Sequence, residues 1–433
     1  MLATNTGIFQ TIVGGDYYLA DDSPYRNAGT TNIDPAVLAD IATKTTYPPI
    51  AYSNTAISIT TTFCPQAQRD TDTPDLGYHY DPMDYVFANI EADTNIIFTA
   101  GTAVGWFRTT SGWYDAGDGI HMMNNVAVSF NGTATAPDYW VRCNDVQEQD
   151  FTGGYGPGGL TSWGSGPSTY VATVNAQFTR CMQQGGDDGY FRDDGCCGGG
   201  HFVLNAENCE FYSTGFGAYY VTFYITNCLF YRASCGVMND HNDAGIAMVN
   251  CTSVGRSDGT VTIQHWGSTF PAYIVNCAFQ NASFPNVDAV NAYYDYNAYE
   301  TNADRSVMGG SHDVTNIISY NWQSSWFGNF YQSTNSPLIQ AGNTTADQIG
   351  LYHFTTQTNQ VPETNSIVDI GYHYVATDAY GNPLDSNDDG IPDYIEDANG
   401  NGLDDSGEIG WDIVGDLGLK VVITQPRNGS SLP

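Results

Sequence analysis

Along most of the chain apolar and polar residues alternate in short runs, broken by clusters of Gly, Asp and Asn. A period of two marks β-strands, whose successive side chains face opposite sides. The clearest series is Asn208-Cys209-Glu210-Phe211, Asn227-Cys228-Leu229-Phe230, Asn250-Cys251-Thr252-Ser253 and Asn276-Cys277-Ala278-Phe279. Its Asn residues fall 19, 23 and 26 positions apart, the spacing of one turn of a β-solenoid. In each copy the Cys and the residue two beyond it point inward. The Asn occupies a bend, where it tolerates left-handed backbone and stacks its amide on the neighbouring turn. Intervening stretches such as GVMNDHNDAG and VGRSDGT read as turns. Helix is expected only over 34–43, DPAVLADIAT, which has an N-cap Asp and a Pro in the first turn.

A second repeat brackets this series. Ser23-Pro24 followed by Ala28-Gly29 recurs as Ser336-Pro337 followed by Ala341-Gly342, and Asp75-Leu76-Gly77-Tyr78-His79-Tyr80 recurs as Asp369-Ile370-Gly371-Tyr372-His373-Tyr374. The distance from Ser to His is 56 residues in the first copy and 37 in the second, so the copies differ by about one solenoid turn. The expected organisation is a terminating module of a preceding unit over 1–85, a parallel β-solenoid body with its own terminating module over 86–374, tandem cation-binding loops over 375–412, and the start of a further β-domain or a linking strand over 413–433. The SP…AG and GYHY elements resemble the C-terminal ending of secreted right-handed parallel β-helix proteins. Most of the chain is similar to the large β-helix proteins of bacterial cell surfaces. The resemblance implies an all-β, right-handed parallel β-helix; it is architectural and carries no chemistry.

Composition narrows the partners. With 41% hydrophobic and 13% aromatic residues the chain can bury a large core, while 12 Lys+Arg stand against 47 Asp+Glu, a net charge of −35. Such a surface repels nucleic acid and anionic membranes, so neither is an expected partner. No apolar run is long enough to span a membrane. The start, MLATNTGIFQ, lacks the charged and apolar regions of a signal peptide, so a secreted protein would be a portion of a longer precursor. Ten cysteines are compatible with disulfides in an oxidising compartment or with small core residues. No CxxC spacing supports zinc.

The segment DSNDDGIPDYIEDANGNGLDDSGE changes the picture most. Asp385, Asn387, Asp389, the carbonyl of Ile391, Asp393 and Glu396 fall at positions 1, 3, 5, 7, 9 and 12 of a loop with Gly390 in the sixth place. Asp397, Asn399, Asn401, the carbonyl of Leu403, Asp405 and Glu408 repeat the pattern without a gap, with Gly402 in the sixth place. Ca²⁺ takes six to eight oxygen ligands, and this spacing supplies them around one sharp turn. No helix of ordinary length flanks either loop, which argues against a paired-helix sensor. The stretch resembles the thrombospondin type 3-like calcium repeats of bacterial surface proteins. The expected cofactor is therefore Ca²⁺, in a structural, extracellular role.

Catalytic candidates are weaker. Asp240, His241 and Asp243, with Arg232 a rung before and Arg256 and His265 a rung after, place a possible acid–base group on one face; a solvated turn is the commoner fate of such composition. Asp187, Asp188, Asp193 and Asp194 around Tyr190–Arg192 read as an acidic loop, a second calcium site or a sugar-stacking loop. His79 and His373 occupy one place in two copies of a module and read as structural. Sequons at Asn131, Asn250, Asn281, Asn343 and Asn428 permit a covalent glycan. The leading expectation is a structural surface or fibre protein that polymerises head to tail with calcium-stiffened junctions. The alternatives are a polysaccharide lyase or glycoside hydrolase and a non-catalytic glycan-binding adhesin.

Overall fold

The structure, a computed structural model, describes residues 7–109, 119–148, 159–162, 171–182, 191–193, 201–213, 215–218, 221–238, 245–255, 263–266, 271–282, 291–301, 303 and 309–414. Strand dominates, and nearly all of it is parallel. The chain passes repeatedly from a nine-stranded sheet to a fourteen-stranded sheet and back. Each pass pairs in register with the pass before: Val171–Gln177 lies beside His201–Glu207, then Val221–Thr226, Gly245–Val249, Pro271–Val275 and Asn291–Asp295. Between passes the chain also contributes Gly215–Ala218, Ser234–Met238 and Ile263–Trp266, which form a three-stranded parallel sheet of their own.

The two-residue period builds this core. In the nine-stranded sheet Val174, Leu204, Phe223, Ile246, Ala272 and Ile274 turn inward and are buried, while Asn175, Asn205, Tyr224 and Tyr273 turn outward. On the facing sheet Phe211, Phe230, Ser253 and Phe279 follow one another strand by strand and are buried. Phe211 stacks on Phe230 at 4.9 Å and Phe279 on Tyr299 at 5.4 Å. Cys209, Cys228, Cys251 and Cys277 form a second buried row, and each thiol donates to a backbone carbonyl. All seven cysteines described with their side chains are free. The thiols are packed as small apolar groups, the core reading of the two open to the sequence.

The four Asn residues of the series all adopt left-handed backbone, with φ between 47° and 57°. Asn227 donates to Asn208 Oδ1 at 2.7 Å and Asn276 to Asn250 Oδ1 at 3.1 Å. A second corner uses the same device, since Asn89 and Asn54 are left-handed and Asn89 donates to Asn54 Oδ1 at 2.8 Å. The only regular helix longer than one turn among the described residues is Pro35–Ile41, capped by Asp34, whose side chain accepts from Ala36 N at 2.8 Å.

The duplicated modules fold alike. Each opens with an antiparallel hairpin, Phe9–Ile12 with Gly15–Leu19 and Gln323–Ser325 with Gly328–Tyr331. The Asp of each GYHY element accepts from the backbone of the SP…AG turn: Asp75 from Asn27 N and Asp369 from Gln340 N, both at 2.6 Å. Each also accepts a threonine hydroxyl, from Thr46 and Thr356 respectively. Tyr18 stacks on Tyr80 and Tyr331 on Tyr374, both at 4.1 Å. His79 lies 2.6 Å from Asp70 and His373 donates to the Gly371 carbonyl at 2.9 Å, so both histidines are held in local networks.

The extra length of the first copy contains Ile50–Ile57 and Thr61–Phe63, which pair in parallel with Tyr85–Ala92 and Ile96–Thr99. The stack thus begins inside the stretch 1–85. The second module lies along the flank of the stack and crosses the asparagine row. Asn227 donates to the His373 carbonyl at 2.9 Å and accepts from His373 N at 2.7 Å, Asn250 donates to the Asp369 carbonyl at 3.0 Å, and Gly371 N donates to the Asn276 carbonyl at 2.8 Å.

Candidate metal centre

The two acidic loops close with the same hydrogen bonds, which follows from the ligand spacing itself. In the first loop Asp385 accepts from Asp389 N at 3.2 Å and from Gly390 N at 2.9 Å. In the second, Asp397 accepts from Asn401 N at 3.1 Å and from Gly402 N at 2.6 Å. The third residue of each loop accepts from the fifth at 3.0 Å, Asn387 from Asp389 N and Asn399 from Asn401 N. The fifth accepts from the seventh at 2.7 Å, Asp389 from Ile391 N and Asn401 from Leu403 N. Short Asx turns of this kind wind the backbone of each loop. Gly390 and Gly402 take φ of 93° and 75°, which other residues resist. At Gly402 a Cβ would also meet the Tyr352 ring at 2.3 Å.

The twelfth residues reach back across their loops. Glu396, at the end of the single-turn helix Asp393–Glu396, accepts from Asn387 Nδ2 at 3.3 Å; Glu408 accepts from Asn399 N at 3.2 Å and Asp405 N at 3.1 Å. Burial, with the charges of Asp389, Asp393 and Asp385, pushes the Glu396 carboxyl up to about 7, against the bond from Asn387. Asp389 Oδ2 is buried and has no hydrogen-bond partner. Buried Asp393 and Glu396 beside half-buried Asp385 and Asp389, with one Asp389 oxygen left orphaned, are a donor set of the kind a hard cation takes. Among the described residues no three His, Cys, Asp or Glu side chains are drawn together as a metal cage. The loop ligand sets are mixed, with Asn side chains and the Ile391 and Leu403 carbonyls making up the number. On chemistry and order, the residues present fit Ca²⁺.

The loops are seated on the rest of the chain. His353 is buried and its Nε2 lies 2.9 Å from Asp397 Oδ2, with Nδ1 4.0 Å from Asp393 Oδ2. It therefore touches the ninth position of one loop and the first of the next. Tyr352 N donates to the Gly400 carbonyl at 3.1 Å, and the Tyr352 and His353 rings pack on Trp411. Tyr394 accepts from Ala134 N at 3.1 Å and meets Phe178 edge-on at 5.5 Å. No family model, curated protein or solved structure matches this chain. The case for any site rests on its own residues.

His353 was not visible in the ligand pattern, because it stands 44 residues before the Asp it touches. Of the catalytic candidates, Asp240, His241 and Asp243 lie outside the described residues, as do Arg256, Asp187, Asp188 and Asp194. His265 falls within Ile263–Trp266, opposite Val237. Arg232 is exposed at a left-handed bend, 5.2 Å from the Tyr231 ring. Asp193 ends the strand Phe191–Asp193, and His201 opens His201–Glu207. A pair that spacing did not suggest is Asp295 and His312, whose Oδ2 and Nδ1 lie 2.8 Å apart beneath a stacked Tyr296. Of the sequons, Asn250 is fully buried and Asn343 is bonded to Asn276, whereas Asn131 is exposed. Among the described residues no helix is long and apolar enough to cross a membrane.

Proposed function

We propose that this chain is a structural subunit of an extracellular or cell-surface fibre: a right-handed parallel β-helix whose copies stack head to tail. The observation that carries the reading is that, among the described residues, a strand edge is left unpaired at each end of the parallel stack. At one end Ile50–Ile57 and Thr61–Phe63 pair on one side only, and Ile50 and Ile59 stand exposed at 44% and 77%. At the other end Val314–Ile317 pairs only with Ala298–Glu300, and Ile318 beside it is 85% exposed. Strand edges left open with apolar neighbours are templates for another chain. Neither Lys nor Pro interrupts Ile50–Ile57, whose register to the next strand runs without a bulge. Joining one end to the opposite end of the next copy is a heterologous contact that does not close, and such contacts propagate as filaments.

Two Ca²⁺ ions, held by Asp385, Asn387, Asp389, Ile391, Asp393 and Glu396 and by Asp397, Asn399, Asn401, Leu403, Asp405 and Glu408, supply the positive charge that this acidic segment lacks. Because the loops sit against His353, Phe178 and Ala134, the ions act on the flank of the subunit. They fasten the second module there and stiffen the unit that is repeated. Negative-stain electron microscopy of the purified chain in millimolar calcium is expected to show unbranched filaments one subunit wide. An Ile59→Asp variant is expected to stay monomeric. Monodisperse single particles at all concentrations, with and without chelator, sink the proposal.

A further inference from the structure

The outward face of the nine-stranded sheet carries one unbroken row in register: Ser129, Asn175, Asn205, Tyr224, Ala247, Tyr273 and Tyr293. Its first half is an amide ladder, with Asn205 donating to Asn175 Oδ1 at 2.8 Å and Asn175 to Ser129 Oγ at 3.5 Å. Its second half is aromatic. Tyr224, Tyr273 and Tyr293 are exposed at 53%, 42% and 46%, and the Tyr273 and Tyr293 rings are parallel within 16° at 5.4 Å. The outward positions on either side of the row are mixed, with Thr173, Gln177, Glu207, Thr222 and Thr226 among Val203 and Val249. None of the nine strands contains a Lys or an Arg.

We infer that this row is a binding strip for a neutral polysaccharide chain lying along the stack. The exposed edges of the stacked Tyr273 and Tyr293 rings, with exposed Tyr224, give an apolar surface against which the C–H faces of sugar rings pack, and the Asn amides and threonine hydroxyls take sugar hydroxyls. Six strand spacings of about 4.8 Å give a track of roughly 29 Å, long enough for several sugar units. The choice of a neutral ligand follows from charge. Uronic or sulfated chains would meet a sheet with no cationic group on a molecule of net charge −35. A protein partner is disfavoured because the exposed large apolar side chains of this face form a single file of tyrosines, with Thr222 and Thr226 beside Tyr224 and Asp295 beside Tyr293, too narrow for a dry interface core. Asp295, next to Tyr293 in space through the strand Asn291–Asp295, marks the acidic end of the track.

The test is co-sedimentation of the full chain with insoluble cellulose, chitin, mannan and xylan, with polygalacturonate gel as the anionic arm. Depletion by at least one neutral polymer is expected, with little loss to polygalacturonate. Tyr273→Ala/Tyr293→Ala is expected to weaken that binding at least tenfold at an unchanged melting temperature, and Tyr273→Phe/Tyr293→Phe to retain it, since the ring and not the hydroxyl makes the contact. Failure of all four neutral polymers to retain the wild type overturns the inference. So does full binding by the double alanine variant, or preferential binding to polygalacturonate.

Discussion

Replacing Asn227 with Ala tests how the second module is held to the flank. Asn227 is fully buried, donates to Asn208 Oδ1 at 2.7 Å and to the His373 carbonyl at 2.9 Å, and accepts from His373 N at 2.7 Å. Alanine leaves both the N–H and the carbonyl of buried His373 without these partners, at about 1–3 kcal/mol for each orphaned group. It also places a Cβ without a compensating side-chain bond at φ of 47°, which adds about 1 kcal/mol. The expected loss is about 3–7 kcal/mol from these two contributions. Asn227→Gly relieves the backbone but orphans the same groups, so it is expected to be milder by about 1 kcal/mol. Urea unfolding followed by tryptophan fluorescence gives the stabilities, and native-state hydrogen exchange reads the His373 amide directly. A cost below about 1 kcal/mol for Asn227→Ala, with unchanged protection of that amide, refutes the claim that the asparagine corner fastens the module.

Other outcomes follow from the same contacts. Isothermal titration is expected to find two Ca²⁺ ions per chain, one lost in Glu396→Gln and the other in Glu408→Gln; absence of calcium heat at millimolar concentration removes the metal reading. His353→Ala is expected to lower the affinity of both loops by roughly 10–100-fold, the usual effect of removing an outer partner of a ligand, whereas an effect on neither places His353 outside the centre. Burial raises the Asp138 carboxyl to about 7, above its unfolded value. This group therefore favours the fold most at acid pH, and its contribution is lost as pH rises through 7. Asp138→Asn is expected to gain stability relative to wild type between pH 5 and pH 8; a pH-independent difference in chemical denaturation contradicts the assignment. Phe230→Ala opens the stacked row beside Phe211 and is expected to cost about 3–5 kcal/mol in the same assay.

What the sequence determined by itself is whatever depends on short-range preference. The Asn-Cys series predicts buried Cys and Phe because a strand alternates faces, and it predicts left-handed Asn because few other residues accept that backbone. Asn208, Cys228 and Phe279 stand where that argument puts them. The ligand spacing of 385–408 likewise predicts two like-shaped loops, since every bond that winds them joins residues only a few positions apart. The repeated SP…AG and GYHY elements announced one module twice, and both copies close on the same Asp and Tyr contacts.

Tertiary structure decided what those pieces meet. The bonds from Asn250 to Asp369 and from Asn227 to His373 span 119 and 146 residues, and nothing in local composition pairs those positions. His353 finds Asp397, and the three tyrosines fall into one exposed row, only once the register of the strands is fixed. The physical reason is that the stack satisfies its own backbone within the sheets but leaves corner amides and carbonyls unpaired. Those groups, buried on docking, select the segment that lies across them, because an unpaired buried amide or carbonyl is costly.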